Sequence, residues 1–177
     1  RPGVVRDELN RFLEPHGLMF GPETSTSNRA MMGGMVGNNS CGSNSVVCGN
    51  TRQHLIEVKG YLSDGSPAAF GPLDPEAFAR RCETGDDLET ALYRHIRDTL
   101  ASEDHRREIL ERFPKPSIHR RNTGYALDIL ALTEPFEATD TPFNFAKLIA
   151  GSEGTLMFLT EIKLNLLPLP PAHSGLL

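Results

Sequence analysis

The 177 residues suffice for one domain with its own core and are too few for two large ones. With 38% hydrophobic and 23% charged residues, the composition is that of an ordinary soluble globular protein. A formal charge of −5 weighs against a general nucleic-acid binder, and no apolar run approaches the roughly 20 residues of a membrane span. Three cysteines, Cys41, Cys48 and Cys82, form no C-x-x-C pair; the odd count favours thiols in a reducing compartment, hence the cytoplasm, over a disulfide framework or a zinc site.

Arg1-Pro2-Gly3 leads straight into a helical pattern, with no secretory signal. Val5, Leu9, Phe12 and Leu13 share one face at helical spacing, and Pro15 with Gly17 ends the helix. Leu18 to Phe20 reads as a short strand before Gly21-Pro22. Then comes the ribbon from Arg29 to Arg52, which carries no charge between its bounding arginines. Gly33, Gly34, Gly37, Gly42 and Gly49 admit positive φ, and Asn38, Asn39 and Asn44 tolerate it. Such chain can turn successive N–H groups inward around an anion, and Met31, Met32, Met35, Val36, Val46 and Val47 are expected to hold it against a core. Bracketed by arginine, it suits a phosphorylated ligand. An ordinary surface loop is the plain alternative, and neither the G-x-G-x-x-G fingerprint nor a P-loop is present.

Beyond the ribbon, Ile56, Val58 and Leu62 alternate with Glu57, Lys59 and Tyr61 as a half-buried strand. Ser63-Asp64-Gly65-Ser66 predicts a hairpin turn, with Pro67 to Phe70 returning. Asp74 and Pro75 are a good N-cap and first residue for a helix containing Phe78. Leu88, Leu92, Ile96 and Leu100 mark a longer amphipathic helix; Ile109, Leu110 and Phe113 mark another, stopped by Pro114 and Pro116. This helical block, about 72–121, reads as an insertion whose charges (Arg80, Arg81, Asp86, Asp87, Arg106, Arg107) form a solvated face. A third part begins at Asn122-Thr123-Gly124-Tyr125. Phe145, Leu148 and Ile149 suit a short helix, capped at Gly151. Phe158, Thr160, Ile162, Leu164 and Leu166 alternate with Met157, Leu159, Glu161, Lys163 and Asn165 in the clearest strand, which Pro168, Pro170 and Pro171 terminate as an exit towards another domain.

Two separated strings carry a resemblance. Ala30-Met31-Met32-Gly33-Gly34-Met35, Asn38-Asn39-Ser40-Cys41-Gly42 and Cys48-Gly49-Asn50-Thr51-Arg52-Gln53-His54 form one; Ile149-Ala150-Gly151-Ser152-Glu153-Gly154-Thr155-Leu156 forms the other. In that order they resemble the FAD-linked oxidases with a PCMH-type FAD-binding domain (the vanillyl-alcohol-oxidase superfamily), nearest the D-lactate, glycolate and D-2-hydroxyglutarate dehydrogenases. The resemblance implies an α+β fold: a mixed, largely antiparallel sheet flanked by helices, the second subdomain of such a domain. It implies that 1–177 is a fragment, lacking the pyrophosphate-loop subdomain and the substrate domain. It also implies oxidation of a D-2-hydroxy acid by hydride transfer to flavin N5, a separate electron acceptor, and non-covalent FAD. Peripheral association with the inner membrane through a longer protein stays open.

By resemblance, Pro22 and Ser25, Thr26 and Ser27 to Met31 run beside the FAD diphosphate and ribityl chain. Gly33 and Gly34 allow close approach, and Asn38, Asn39, Ser40, Cys41 and Gly42, with Gly49, form a clasp. Glu153, Gly154, Thr155 and Leu156 lie near the adenine or ribityl portion, in a turn offering N–H and hydroxyl donors without bulk. Relatives often have Thr or Ser at Met31 and Tyr at Cys48; nothing marks Cys41 or Cys48 as a covalent flavin link. Arg52 reads either as a ligand contact or as the partner of a local carboxylate, and His54 as a contact or a core residue. Within Lys115, His119, Arg120 and Arg121, one arginine holding a substrate carboxylate competes with a solvated surface patch. No catalytic residue is named and no metal is expected. A non-redox nucleotide-binding or interaction module is the alternative function.

Overall fold

A computed structural model describes residues 1–170 except 84, 116, 119, 122 and 123. The expectations placed on Pro116, His119, Asn122, Thr123 and Pro171 fall outside the described residues.

The chain opens with α1 (Arg6–Leu13) and a 3-10 turn through Glu14–His16 that Gly17 ends at φ 68°. Leu13 is buried, but Phe12 is 69% exposed, so it lies off the inward face it was given. After β1 (Leu18–Met19) the ribbon folds into three short helices: α2 (Met32–Asn38), α3 (Ser45–Cys48) and α4 (Thr51–His54). Then come β2 (Leu55–Tyr61) and β3 (Pro67–Phe70), joined by the Asp64-Gly65 turn with Gly65 at φ 83°. The helical block is α5 (Pro75–Glu83), α6 (Leu88–Ala101) and α7 (Glu103–Arg112). Asp74 and Asp87 accept from Ala77 N and Thr90 N as N-caps. Short helices α8 (Leu127–Ala131) and α9 (Ala146–Ile149) precede β4 (Phe158–Leu164) and β5 (Leu167–Pro168). The architecture is α+β with small antiparallel sheets. One runs β3-β2-β4, the other β1-β5.

Leu167–Pro168 does not simply lead away. It pairs with Leu18–Met19, and Leu169 N donates to Gly17 O at 2.9 Å. In β4 the register against β2 jumps from Glu161↔Lys59 to Leu159↔Gly60, leaving Thr160 as an extra residue, and Ile56 is extra on β2. Each bulge reverses the inside–outside phase. Leu55 and Val58 therefore face the core three residues apart, and Met157 with Leu159 turns inward while Phe158 is 73% exposed. Alternation across the whole strand holds only on the far side of Thr160.

The main core joins Val36, Leu55 and Val58 to an aromatic cluster in which Phe70, Phe78, Tyr93, Phe143 and Phe145 meet edge-on or tilted. A second, smaller core of Phe20, Met32 and Met35 lies under α1 and β4.

Candidate functional site

The ribbon is not an open concavity of inward N–H groups. Met32, Met35 and Val36 recur at helical spacing and bury against both cores, and this burial outweighs the helix penalty of about 1 kcal/mol that each of Gly33, Gly34 and Gly37 carries. Of the residues offered for positive φ, only Asn39 (51°) and Gly49 (70°) adopt it. The donors are spent locally. Met32 N and Gly33 N bond Val4 O and Pro2 O; Ser40, Ser45, Cys48 and Thr51 likewise donate to carbonyls of the ribbon. Val46 and Val47, expected against a core, are 84% and 87% exposed.

The two motif strings nevertheless meet. Gly151 N donates to Val36 O and Glu153 N to Gly37 O, both at 2.9 Å, so the second turn sits on the C-terminal end of α2. Glu153 (φ 52°) and Gly154 (φ 78°) both take left-handed backbone there. Asn38 Nδ2 donates to Glu153 Oε1 at 3.0 Å, and Ser40 Oγ donates to Asn38 Oδ1. Thr155 Oγ1 bonds Ser152 O and lies 2.7 Å from Tyr125 Oη. A hollow of about 260 Å³ at the junction is lined by Pro2, Gly33, Gly37, Ser152, Gly154 and Phe158. A larger cleft, about 690 Å³, lies instead beside α1 and is bounded by Arg6, Asn10, Met19, Glu23, Cys48 and Pro170. The junction is the better candidate, because both strings contribute to it.

The strip continues in the other direction. Glu23 Oε1 accepts from Ser43 Oγ at 2.6 Å and Asn44 N at 3.2 Å, which holds its carboxyl below the usual range. A Cβ on Gly42 would stand 2.7 Å from Glu23 O, so glycine there permits the contact. Pro22 is buried, its carbonyl taken by Arg6 Nε; Ser27 Oγ donates to Asp7.

Among the predicted contact residues, Ser25, Met31, Gly34, Asn38, Glu153, Gly154 and Thr155 are exposed; Thr26, Ser27, Gly33, Cys41, Gly42, Gly49 and Leu156 are partly so. Pro22, Asn39 and Ser40 are buried and present little surface. Asn39 is fully enclosed, and its Oδ1 accepts from Arg52 N at 2.8 Å. Gly33 is glycine because a Cβ would press on Pro2 at 3.0 Å, whereas one on Gly34 or Gly154 would meet open space.

Arg52 is not at the surface for a phosphate, and its nearest carboxylate influence among the described residues is Asp128, which is itself paired with Arg121. Arg52 is 2% exposed, and its guanidinium donates to the carbonyls of Gly124, Lys147 and Ala150. Burial first, then the charge of Arg121, lowers its pKa to about 10. Lys147 Nζ donates to Arg52 O and Leu55 O, and burial beside Arg52 lowers its amine to about 8. Sequence reasoning missed Lys147, whose setting no local pattern announces. His54 is a core residue: Nε2 lies 2.7 Å from Cys48 O, and the ring meets Phe20 edge-on. Arg121 is not a solvated patch residue, since it forms a largely buried ion pair with Asp128 and donates to Pro114 O; Lys115 and Arg120 are exposed. Of the helical block's charges, Arg106 is half-buried on Leu100 O, and the rest of those named are exposed.

All three cysteines stand as thiols. Among the described residues no group of three His, Cys, Asp or Glu side chains could hold a metal ion, and no helix is long and apolar enough to cross a membrane.

Residues 1–70 match the family model described as an FAD binding domain. The chain is 37% identical over 168 residues to a D-2-hydroxyglutarate dehydrogenase of Pantoea ananatis, 37% over 171 residues to one of Pseudomonas putida, and 35% over 171 residues to one of Escherichia coli. Each match covers 95% of this chain and 16% of the relative, so the chain spans a small part of those proteins. The resemblance carried by the two strings is thus borne out: the chain is similar to D-2-hydroxyglutarate dehydrogenases over nearly its whole length, and its first 70 residues match an FAD binding domain.

Proposed function

We propose that this chain is the larger FAD-binding subdomain of a flavin-dependent oxidoreductase acting on a D-2-hydroxy acid, with D-2-hydroxyglutarate as the first substrate to test and D-lactate and glycolate as its rivals. In this reading 1–177 is one subdomain with a helical insertion at about 72–121. The pyrophosphate-loop subdomain, the substrate domain and the route to an electron acceptor lie elsewhere in a longer protein. FAD, when bound, accepts a hydride equivalent from the hydroxyl-bearing carbon at flavin N5.

One observation carries the reading: Glu153 N bonds Gly37 O, which makes one face of two motifs more than a hundred residues apart. The residues fit a non-covalent dinucleotide. Gly34 and Gly154 leave room for close approach, and Asn38, Thr155 and the Ser25–Ser27 hydroxyls offer uncharged polar groups. The exposed carboxylate of Glu153 would repel a diphosphate but can accept from a sugar hydroxyl, which puts the second turn beside the ribose or ribityl portion. Ser25–Met31 and Gly42 would hold the diphosphate side.

The test is a visible spectrum of the full-length protein, titrated anaerobically with D-2-hydroxyglutarate. A flavin spectrum that bleaches supports the proposal. Colourless protein that takes up no FAD overturns it, and ADP binding as tightly as FAD would favour a non-redox nucleotide module. The isolated chain, with only part of the clamp, is expected to bind FAD weakly or undetectably.

A further inference from the structure

Arg52 joins the two halves of the site by opposite ends of one residue. Its backbone N–H reaches Asn39 Oδ1, and Asn39, in left-handed conformation, caps α2 through its own N–H to Val36 O at 3.0 Å. Its guanidinium reaches the end of α9, with Nε 2.9 Å from Lys147 O and 3.2 Å from Ala150 O, and Nη2 2.5 Å from Ala150 O and 2.6 Å from Gly124 O. Such last-turn carbonyls have no partner within a helix, and a planar fork can serve several in different directions. The next residue, Gly151, begins the second turn. A Cβ there would stand 2.5 Å from Arg52 Nη2, and its φ of 91° also suits glycine, so the turn's root is shaped around the guanidinium.

A buried cation whose nearest carboxylate, Asp128, is already paired with Arg121 is a poor way to gain stability alone, because desolvation opposes it and a hydrophobe of similar size often does as well. What only the fork supplies is direction. We infer that Arg52 is a positioning residue that sets the spacing between the α2 C-cap and the 151–155 turn, and so the width of the flavin dinucleotide cradle. The cofactor part of this inference rests on the function proposed above; the spacing part does not.

The experiment uses full-length protein as wild type, Arg52→Lys and Lys147→Met. The last removes a neighbouring buried cation that bonds Arg52 O and Leu55 O but not the second turn, so it controls for general loss of stability. Three quantities are read well below the melting temperature: the FAD dissociation constant, the melting temperature, and amide hydrogen exchange over 152–156 and 67–70 in cofactor-free protein. Arg52→Lys is expected to weaken FAD about tenfold or more and Lys147→Met less than about twofold. Exchange should quicken over 152–156 in Arg52→Lys alone, with 67–70 unchanged. An Arg52→Lys protein that melts earlier yet keeps its FAD affinity and its exchange over 152–156 overturns the inference and leaves a purely structural arginine. Should wild type take up no FAD, the proposed function fails, and exchange over 152–156 alone upholds or overturns the spacing. If Arg52→Lys does not fold, Arg52→Gln is read the same way.

Discussion

Glu153 and Gly37 are joined backbone to backbone: the N–H of Glu153 donates to the Gly37 carbonyl at 2.9 Å, and a Cβ on Gly37 would come only to 3.6 Å from Glu153 Cα. A Cβ at that distance makes an ordinary contact, so the junction rests on the hydrogen bond and on the left-handed backbone of Glu153 (φ 52°). The two sequence strings supply one partner each.

Gly34 separates folding from ligand contact. It lies in α2, is exposed, and a Cβ there meets nothing within 4 Å. Gly34→Ala should therefore stabilise the fold by about 0.5–1 kcal/mol, through helix propensity and a less flexible unfolded chain. If the cofactor lies against this backbone, the same methyl should weaken FAD binding. Urea unfolding and FAD titration of one variant check both signs.

Gly60 faces the bulge. A Cβ there would stand 2.0 Å from Phe158 O, in the centre of the three-stranded sheet. Gly60→Ala should cost about 2–3 kcal/mol, as overpacking against backbone does, and lower the melting temperature clearly. Calorimetry of the variant measures it.

Lys147 should leave a mark on the pH dependence of stability. Its amine falls from the ordinary 10.5 to about 8 in the fold, by burial and the nearby Arg52 charge. Between those values the unfolded chain binds the proton that the folded chain has released. Stability therefore rises with pH from about 8, and the burial penalty is felt in full below it. Near the upper end Tyr93 works the other way, since burial pushes its phenol up and favours the protonated form in the fold. Denaturant midpoints from pH 7 to 10 should climb in wild type and climb less in Lys147→Met.

Asp128 Oδ2 neutralises Arg121 in a pair of which both side chains are largely buried, and its Oδ1 has no hydrogen-bond partner among the described residues. Asp128→Ala should destabilise by about 3 kcal/mol or more, because the guanidinium is left enclosed without its carboxylate. Replacing both members by apolar residues should recover much of that loss, and a double-mutant cycle in urea compares the two.

Elements with local chemistry were legible in the sequence. The Asp64-Gly65 turn, the Asp74-Pro75 helix start and the Leu88–Leu100 stripe depend on residues a few positions apart, and each stands where it was read. The helix α2 was not legible, since three glycines in seven residues argue against a helix until Met32, Met35 and Val36 are seen to be buried. Nor was the setting of Arg52, whose carbonyl partners lie 72 to 98 residues away. The meeting of the two strings was legible only through resemblance. Nothing in their spacing along the chain says that Val36 and Gly37 accept from Gly151 and Glu153.

Thr160 gives the last strand an awkward arithmetic. With one surplus residue opposite β2, the segment presents Met157 to the interior and Phe158 to water. Were Thr160 instead paired with Gly60 in a regular ladder, every residue before it would slip by one, driving the Phe158 ring inwards and the Met157 thioether out, right beside the 151–155 turn. The surplus residue thus keeps one wall of the junction in phase, and deleting Thr160 outright would straighten the ladder while leaving Leu159 opposite Gly60 and Phe158 opposite Tyr61.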